Sequence, residues 1–446
     1  PFWLKLKTVH AALPHPARGL MASLVGSNWA RLKAQLPSKP PPKRSTTPAS
    51  TVASCKRPKR ARTSERTSPA ASIPAGRPRK ARRRGAREWP SLAPAIRHEL
   101  GRWEVMDSVV EAYEAGVEPV LGGAETGRGA QKRKRHLEAW LWARRFHPLL
   151  PLGQPARDTV VAANVALARK LKNAGLRPKE ARRRVRRLSK LLRAPVRPVE
   201  DEVAVAEERR GDLVALTCGG RAVEVLPAYL EKLRRACSRP DFLDAAFFML
   251  ARYRILQVHD KGGGNQGALP GAVFRTVERW AEPQPVVEAF ASPLNALADA
   301  GSYHSAFADA DSAFGSRGSF FDASFEEGVV EVNPPFDEDI VQRVAEVCEG
   351  SLQRAAAVKK LLAFLVVVPQ TDWPGPAALA ASSFLRWTRT LPAGRHFYQV
   401  GNQHLNRTRA YPASRNTTVL LLSSRPVAGQ ARLADQVVAA FREQPT

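Results

Sequence analysis

Four consecutive residues, Asn333-Pro334-Pro335-Phe336, directly follow the apolar run Gly328–Val332. An amino group conjugated to an aromatic ring, such as that of adenine, is a poor nucleophile because its lone pair is delocalised. Two acceptors that take both amino hydrogens pull the nitrogen toward a tetrahedral shape and free that pair. The side-chain oxygen of Asn333 and the backbone carbonyl of Pro334 are two such acceptors. The prolines fix the turn, and Phe336 offers a flat face for a base. Stacking of this kind contributes about 1–3 kcal/mol per base in single-strand binders. A methyl group passing in line from a sulfonium then depends on positioning and charge complementarity, not on a dedicated base. A plain proline turn ending a strand is the competing reading. The setting, after an apolar strand and before a helix, favours the chemical one.

A second strand end reads Glu288-Ala289-Phe290-Ala291-Ser292-Pro293-Leu294-Asn295. An acid followed by small residues suits a cofactor that needs close backbone approach and carries an ammonium. Phe314-Gly315-Ser316-Arg317-Gly318 is a glycine-rich loop able to cover cofactor or substrate, although a simple turn explains it as well. Residues 281–350 are rich in Asp and Glu and hold only Arg317 and Arg343 as cations. An acidic neighbourhood of this kind suits a sulfonium.

Strands alternating with helices must position these ends. Apolar runs at 286–291, 328–332 and 361–368 read as strands, the last of them fully buried. Helical periods at 269–281 and after Asp339 read as their covers, and 395–400 with 417–423 as a closing antiparallel pair before a terminal helix at 431–442. The fold class is α/β, with a mostly parallel sheet covered on both faces. Ligands in such sheets sit at the carboxyl ends of the strands, near the switch point. The domain is assigned to 265–446, with a hinge at Gly262-Gly263-Gly264. A mainly helical, Arg-rich domain occupies 96–264 and includes a hairpin around Gly219-Gly220. A disordered, basic and proline-rich tail occupies 1–95.

The charge points to a polyanion. The 446 residues carry 70 Lys and Arg against 41 Asp and Glu, a net +29. No apolar run approaches the roughly 20 residues of a membrane span, so no membrane partner is expected and nucleic acid is favoured. Arg182, Arg183, Arg184, Arg186 and Arg187 surround the apolar stripe Val185, Leu188 and Leu192. With almost no acid between them, they read as a track for phosphates, Arg183 and Arg187 foremost. The clusters Lys56-Arg57-Pro58-Lys59-Arg60-Ala61-Arg62 and Arg77-Pro78-Arg79-Lys80-Ala81-Arg82-Arg83-Arg84 read as nuclear localisation signals for an import receptor, hence a location in the nucleus. The four cysteines lack any CxxC pairing, so no metal site is expected.

Several of these stretches together resemble the cap-specific adenosine methyltransferases also known as phosphorylated-CTD-interacting factors. The residues are Cys218-Gly219, Glu231 to Arg235, Ala251-Arg252-Tyr253, Pro270 to Arg275, Phe290 to Asn295, Phe314 to Gly318, Asn333 to Phe336 and Asn402-Gln403-His404. The resemblance runs from about residue 213 to the end. It implies a Rossmann-like methyltransferase domain at 265–446 beside an RNA- and cap-binding helical domain at 96–264, S-adenosyl-L-methionine as cofactor and the capped mRNA 5′ end as substrate, methylated at N6 of the cap-adjacent 2′-O-methyladenosine. On that basis Asn333, Pro334, Pro335 and Phe336 are catalytic, Phe290, Ala291, Ser292, Pro293 and Asn295 hold the cofactor, and Glu338 contacts substrate. The reading of the residues adds Glu288 and Asn333 to the cofactor site, and Arg317, Pro369, Trp373, His404, Arg183 and Arg187 to the substrate contacts. His404 is equally readable as a structural hydrogen-bonder. Animal members carry an amino-terminal WW domain, and residues 1–100 show no such spacing, so direct binding of the phosphorylated RNA polymerase II tail is unsupported. The same Asn-Pro-Pro-aromatic turn also serves enzymes acting on DNA adenine and on protein glutamine. General DNA or RNA adenine-N6 methylation is the alternative, and a catalytically silent RNA-binding scaffold is the alternative of another class.

Overall fold

A computed structural model of the chain describes residues 89–117, 136–200, 202–257, 267–298, 301–401, 403–405 and 410–443. Both basic clusters, most of the expected tail and the Gly262 to Gly264 hinge lie outside these residues. Helix α1 (Ala93–Val117) opens the described part and buries Ile96, Leu100, Trp103, Met106 and Tyr113. A helical segment over 136–143 follows. Next come α2 (Arg157–Asn173) and α3 (Pro178–Leu191), divided as expected at Gly175 and Pro178. Proline at the first turn of α3 lacks only an N–H that would have no helical partner there. Strands β1 (Ala206–Arg210), β2 (Leu213–Cys218) and β3 (Arg221–Val225) form an antiparallel sheet. The tight turn between β2 and β3 needs left-handed backbone at both Gly219 (φ 54°) and Gly220 (φ 69°), which glycine adopts without strain. Helices α4 (Pro227–Ala236) and α5 (Phe242–Ile255) complete this part.

The second part begins at α6 (Gly271–Ala281). Its strands are β4 (Val286–Ala291), β5 (Tyr303–Ser305), β6 (Gly328–Val332), β7 (Leu362–Pro369), β8 (Leu385–Leu391), β9 (Phe397–Gln399), β10 (Ala410–Pro412) and β11 (Thr417–Ser423). Its further helices are α7 (Glu338–Ala357), α8 (Pro374–Ala381) and α9 (Gln430–Arg442). The main sheet has the order β5-β4-β6-β7-β11-β8. Pairs β4–β5, β4–β6 and β6–β7 are parallel, and β11 runs antiparallel to both β7 and β8. Five strands therefore share one direction and β11 opposes them.

The expected closing pair needs correction. Thr417–Ser423 inserts between β7 and β8, while Phe397–Gln399 pairs with β10 in a separate two-stranded sheet. The segment Leu385–Leu391 alternates buried Trp387 and Leu391 with exposed Thr388, Arg389 and Thr390. Its charged outer face hid it as an edge strand.

Strand β7 is buried along its whole length. Ala363, Leu365 and Val367 face α6 and α9, whereas Leu362, Phe364, Val366 and Val368 face α7 and α8. A central strand covered on both faces reads as a continuous apolar run for this reason. The helical part has its own core, and Leu294, Phe307, Ala310, Ala313 and Phe314 from the sheet part pack into it.

One pair of side chains breaks the apolar pattern. Glu288 of β4 lies in register with Glu331 of β6, and both are buried. Both point to the α6 side, since their neighbours Val286 and Val329 do. Burial pushes the Glu288 carboxyl up to about 7. Burial and the charge of Glu288 hold Glu331 well above the ordinary carboxylate range. Raised carboxyls bind protons more tightly in the folded state than in the unfolded one. The stability they contribute is complete below the unfolded value near 4.5 and is lost as the pH rises toward 7. Glu331→Gln keeps the shape and removes one titrating group. Urea unfolding at pH 5 and pH 8 should show that the variant loses on the order of 1–3 kcal/mol less than the parent across this interval. An unchanged loss would mean that Glu331 does not titrate there.

Candidate active site

From β4 the chain moves to β5 on one side, then crosses back to β6 on the other. The switch point of the sheet therefore lies between the carboxyl ends of β4 and β6, the place where open α/β sheets leave a crevice. A cavity of about 730 Å³ occupies this position, within the range of about 300–1,000 Å³ usual for small-molecule sites. Ala289, Phe290, Ala291, Ser292 and Asn295 line it from the β4 end, and Asn333 and Pro335 from the β6 end. The two motifs met in the sequence thus share one cavity.

The β6 end is built for acceptance. Asn333 is buried, and its Nδ2 donates to the carbonyl of Gly267 at 3.1 Å. This bond fixes the amide plane and leaves Oδ1 available as the acceptor. The Pro335 carbonyl receives the amide of Asp337 at 2.8 Å, tightening the turn into α7. Asp337 caps that helix, its carboxylate accepting from Ile340 N at 3.2 Å; such a cap contributes about 1 kcal/mol. Arg145, from the turn after the 136–143 helix, lies 3.4 Å from Asp337 and 3.2 Å from Asp339. Thr159 Oγ1 also donates to Asp339. The helical part thereby holds the first turn of α7, immediately after the Asn-Pro-Pro-Phe turn.

The β4 end is a braced loop. Asn295 Oδ1 accepts from Ser292 N at 2.7 Å and from its hydroxyl at 2.8 Å. Glu288 accepts from the amides of Leu297 (2.7 Å) and Ala298 (3.1 Å), and Lys232 Nζ donates to the Ala296 carbonyl at 2.9 Å. Glu288 does not line the cavity. Its carboxylate is engaged with backbone amides beneath the loop, so the structure places it as a brace, not as a direct contact for an ammonium. Pro293 is likewise buried away from the cavity.

Other expected residues lie further off. The Phe336 ring is half-buried on the α6 and α9 face, edge-on to Tyr398 at 6.0 Å between centroids. Pro334 and Phe336 are not cavity-lining, although both adjoin residues that are. Glu338 is exposed in the first turn of α7, and Arg317 is exposed with its amide bound to the Tyr303 carbonyl. Pro369 pairs with Thr417 at the end of β7, and Trp373 precedes α8 among the apolar residues of that face. His404 is buried beside the start of α4, its carbonyl accepting from Leu226 N. Burial pulls its imidazole down to about 4, so it is neutral at physiological pH and sits outside the cavity. Arg183 and Arg187 are exposed on α3, opposite the buried Ala181, Val185 and Leu188.

Nothing local in the sequence marks the rest of the wall. Arg102, Trp142, Arg145 and Tyr253 reach it from the helical part, and Ser305 to Asp309 from the end of β5 and the start of the short helical turn (Ala308–Asp311) that follows it. Phe320, Phe321 and Asp322 add a third side, where Phe290 meets Phe320 at 5.1 Å and Arg343 lies over Phe321 at 4.0 Å. Tyr253 donates to Asp311 at 2.7 Å, and burial pushes that carboxyl up to about 7. The one advance signal was Ala251-Arg252-Tyr253, among the stretches that carried the family resemblance.

Residues 229–401 match the family model described as "Phosphorylated CTD interacting factor 1 WW domain". The described residues of this stretch run from α4 to β9 and include both strand ends. Of Trp3, Trp29 and Trp89, only Trp89 lies among the described residues, beneath the guanidinium of Arg239. The chain is 34% identical over 229 residues to the mouse protein named mRNA (2'-O-methyladenosine-N(6)-)-methyltransferase, covering 48% of this chain and 31% of that protein. It is 33% identical over 238 residues to the human protein of the same name, covering 50% and 33%. The chain thus spans about a third of the length of these relatives. Residues 229–401, which hold both strand ends of the crevice, are thus similar to the phosphorylated CTD interacting factor 1 family.

Proposed function

We propose that this chain is an S-adenosyl-L-methionine-dependent methyltransferase acting on N6 of the adenosine next to the cap of mRNA. The observation that carries the reading is Asn333, a buried amide oriented by Gly267 at the end of β6. In this reading Asn333 Oδ1 and the Pro334 carbonyl accept the two amino hydrogens of adenine and direct the nitrogen lone pair toward the β4 side. When bound there, the cofactor supplies an electrophilic methyl on a sulfonium. Phe290, Ala291, Ser292 and Asn295 would hold it, the bonds of Glu288 and Lys232 keeping their loop in place. A fixed alignment of donor and acceptor lowers the barrier chiefly by proximity. Guanine offers a carbonyl where adenine has its amino group, so two facing acceptors would stay unpaired at about 1–3 kcal/mol each.

The basic face of α3, with Arg183 and Arg187, would track downstream phosphates, and affinity for long RNA should then fall with salt. The basic clusters at 56–62 and 77–84 would direct import into the nucleus. Binding of the phosphorylated polymerase tail is a further proposal that follows from the relatives' family description.

Labelled methyl transfer tests the substrate. Capped RNA beginning with adenosine should be methylated at least tenfold faster than uncapped RNA, capped RNA beginning with guanosine, internal adenosines or DNA adenine. Equal rates on capped and uncapped RNA would favour a general adenine methyltransferase, and no transfer to any substrate the silent scaffold. Asn333→Ala should reduce turnover by at least 100-fold while affinity for S-adenosylhomocysteine, measured by calorimetry, stays within about threefold. Near-normal turnover in this variant would remove the amide from the mechanism.

A further inference from the structure

Arg252 of α5 is 1% exposed, and its partner Glu99 of α1 is fully buried. Arg252 Nε donates to Glu99 Oε2 at 2.8 Å, and its two terminal nitrogens donate to the two carboxylate oxygens of Asp309 at 3.2 and 3.0 Å. The same Glu99 oxygen accepts from Arg102 Nη1 at 2.7 Å. Four side chains therefore form one file of alternating charge: Arg102, Glu99, Arg252, Asp309. The two middle members do not touch the cavity, whereas both ends, Arg102 and Asp309, line it. The ring of Phe307 lies 5.1 Å from the Arg252 guanidinium and 5.3 Å from Tyr253, so successive residues of α5 hold the loop after β5 from two sides. Asp309 keeps 55% of its side-chain surface open, and its oxygens retain lone pairs for a ligand.

We propose that Glu99 and Arg252 are positioning residues: the buried pair fixes Asp309 toward the methyl donor and Arg102 toward an anionic group of the RNA. The proposal rests on the reading of the crevice given above. A charge held by bidentate, desolvated partners is pre-organised, and its bonds to a ligand are stronger than those of a mobile side chain. Removing the Glu99 charge releases Arg102 and takes from Arg252 the partner that braces it against Asp309, so one substitution outside the cavity affects two ligands. A residue that merely fills the core would lower stability without this double effect.

The test uses the full chain and two probes, S-adenosylhomocysteine and a 7-methylguanosine-capped adenosine dinucleotide, with dissociation constants measured by calorimetry and unfolding followed in parallel. Asp309→Asn should weaken S-adenosylhomocysteine about tenfold and leave the cap probe within twofold. Arg102→Met should do the reverse. Glu99→Gln should weaken both about tenfold, whereas Arg252→Met should weaken S-adenosylhomocysteine alone and Arg252→Lys should recover at least part of that loss. If Glu99→Gln does not fold, the Arg252 variants and the two end variants decide. Parent-like affinity for S-adenosylhomocysteine in Asp309→Asn, or for both probes in a folded Glu99→Gln, overturns the proposal alone. A parent protein that binds neither probe overturns the functional reading and the proposal with it.

Discussion

The parallel pairing of β4 with β6 is the constraint on which the rest of the site depends. Because β5 takes the other side of β4, the chain must cross over before it can form β6. That crossing leaves the carboxyl ends of β4 and β6 side by side, with no loop between them to fill the gap. Ser292 and Asn333 reach one cavity for this reason, although 41 positions separate them in sequence. The pairing also brings Glu288 against Glu331 in a dry layer, an arrangement that hydrophobic side chains would make more stable. Glu288 has a visible use there, since its carboxylate holds the amides of the loop after β4. Glu331 has no comparable bond, one of its oxygens lacking a partner among the described residues.

The helical part is more than an attachment. Arg145 grips the turn after Asn333 to Phe336, Lys232 grips the loop after β4, and Arg252 grips the loop after β5. Each of the three loops at the switch point is therefore held by a cation from outside the sheet. The sheet part taken alone would leave Asp337, the Ala296 carbonyl and Asp309 without these partners. At the cavity wall, Arg102 is paired with Glu99 and Arg145 with Asp337 and Asp339, and Arg343 lies over Phe321, while Arg183 and Arg187 on the outer face of α3 remain exposed.

Much of this was legible in advance, for identifiable reasons. Strands β4, β6 and β7 were readable because each is short, apolar and bounded by turn residues, and two of them end in motifs. The helix pair α2 and α3 followed from Gly175 and Pro178. Strand β8 escaped because an edge strand with Arg386 and Arg389 does not look apolar, and β5 because three residues carry no period. The site was half legible. Motifs report the residues of the strand ends but not what else competes for their atoms. Glu288 was expected to meet the ligand, yet two amides reach it first. Phe336 was expected to stack on a base, whereas its ring meets Tyr398. Arg145 and Asp309 depend on tertiary contacts between residues as far apart as 194 positions, as for Arg145 and Asp339, and no local pattern reveals these.

The central claim is that cofactor and target base meet at the switch point, between the ends of β4 and β6. A crystal structure of the chain with S-adenosylhomocysteine and a capped adenosine dinucleotide measures this directly. The account predicts the homocysteine moiety beside Ala291 and Ser292, with its sulfur directed at the adenine N6 and that nitrogen within hydrogen-bond distance of Asn333 Oδ1 and the Pro334 carbonyl. Cofactor density elsewhere in the fold, or an adenine whose amino group faces away from Asn333, would contradict it.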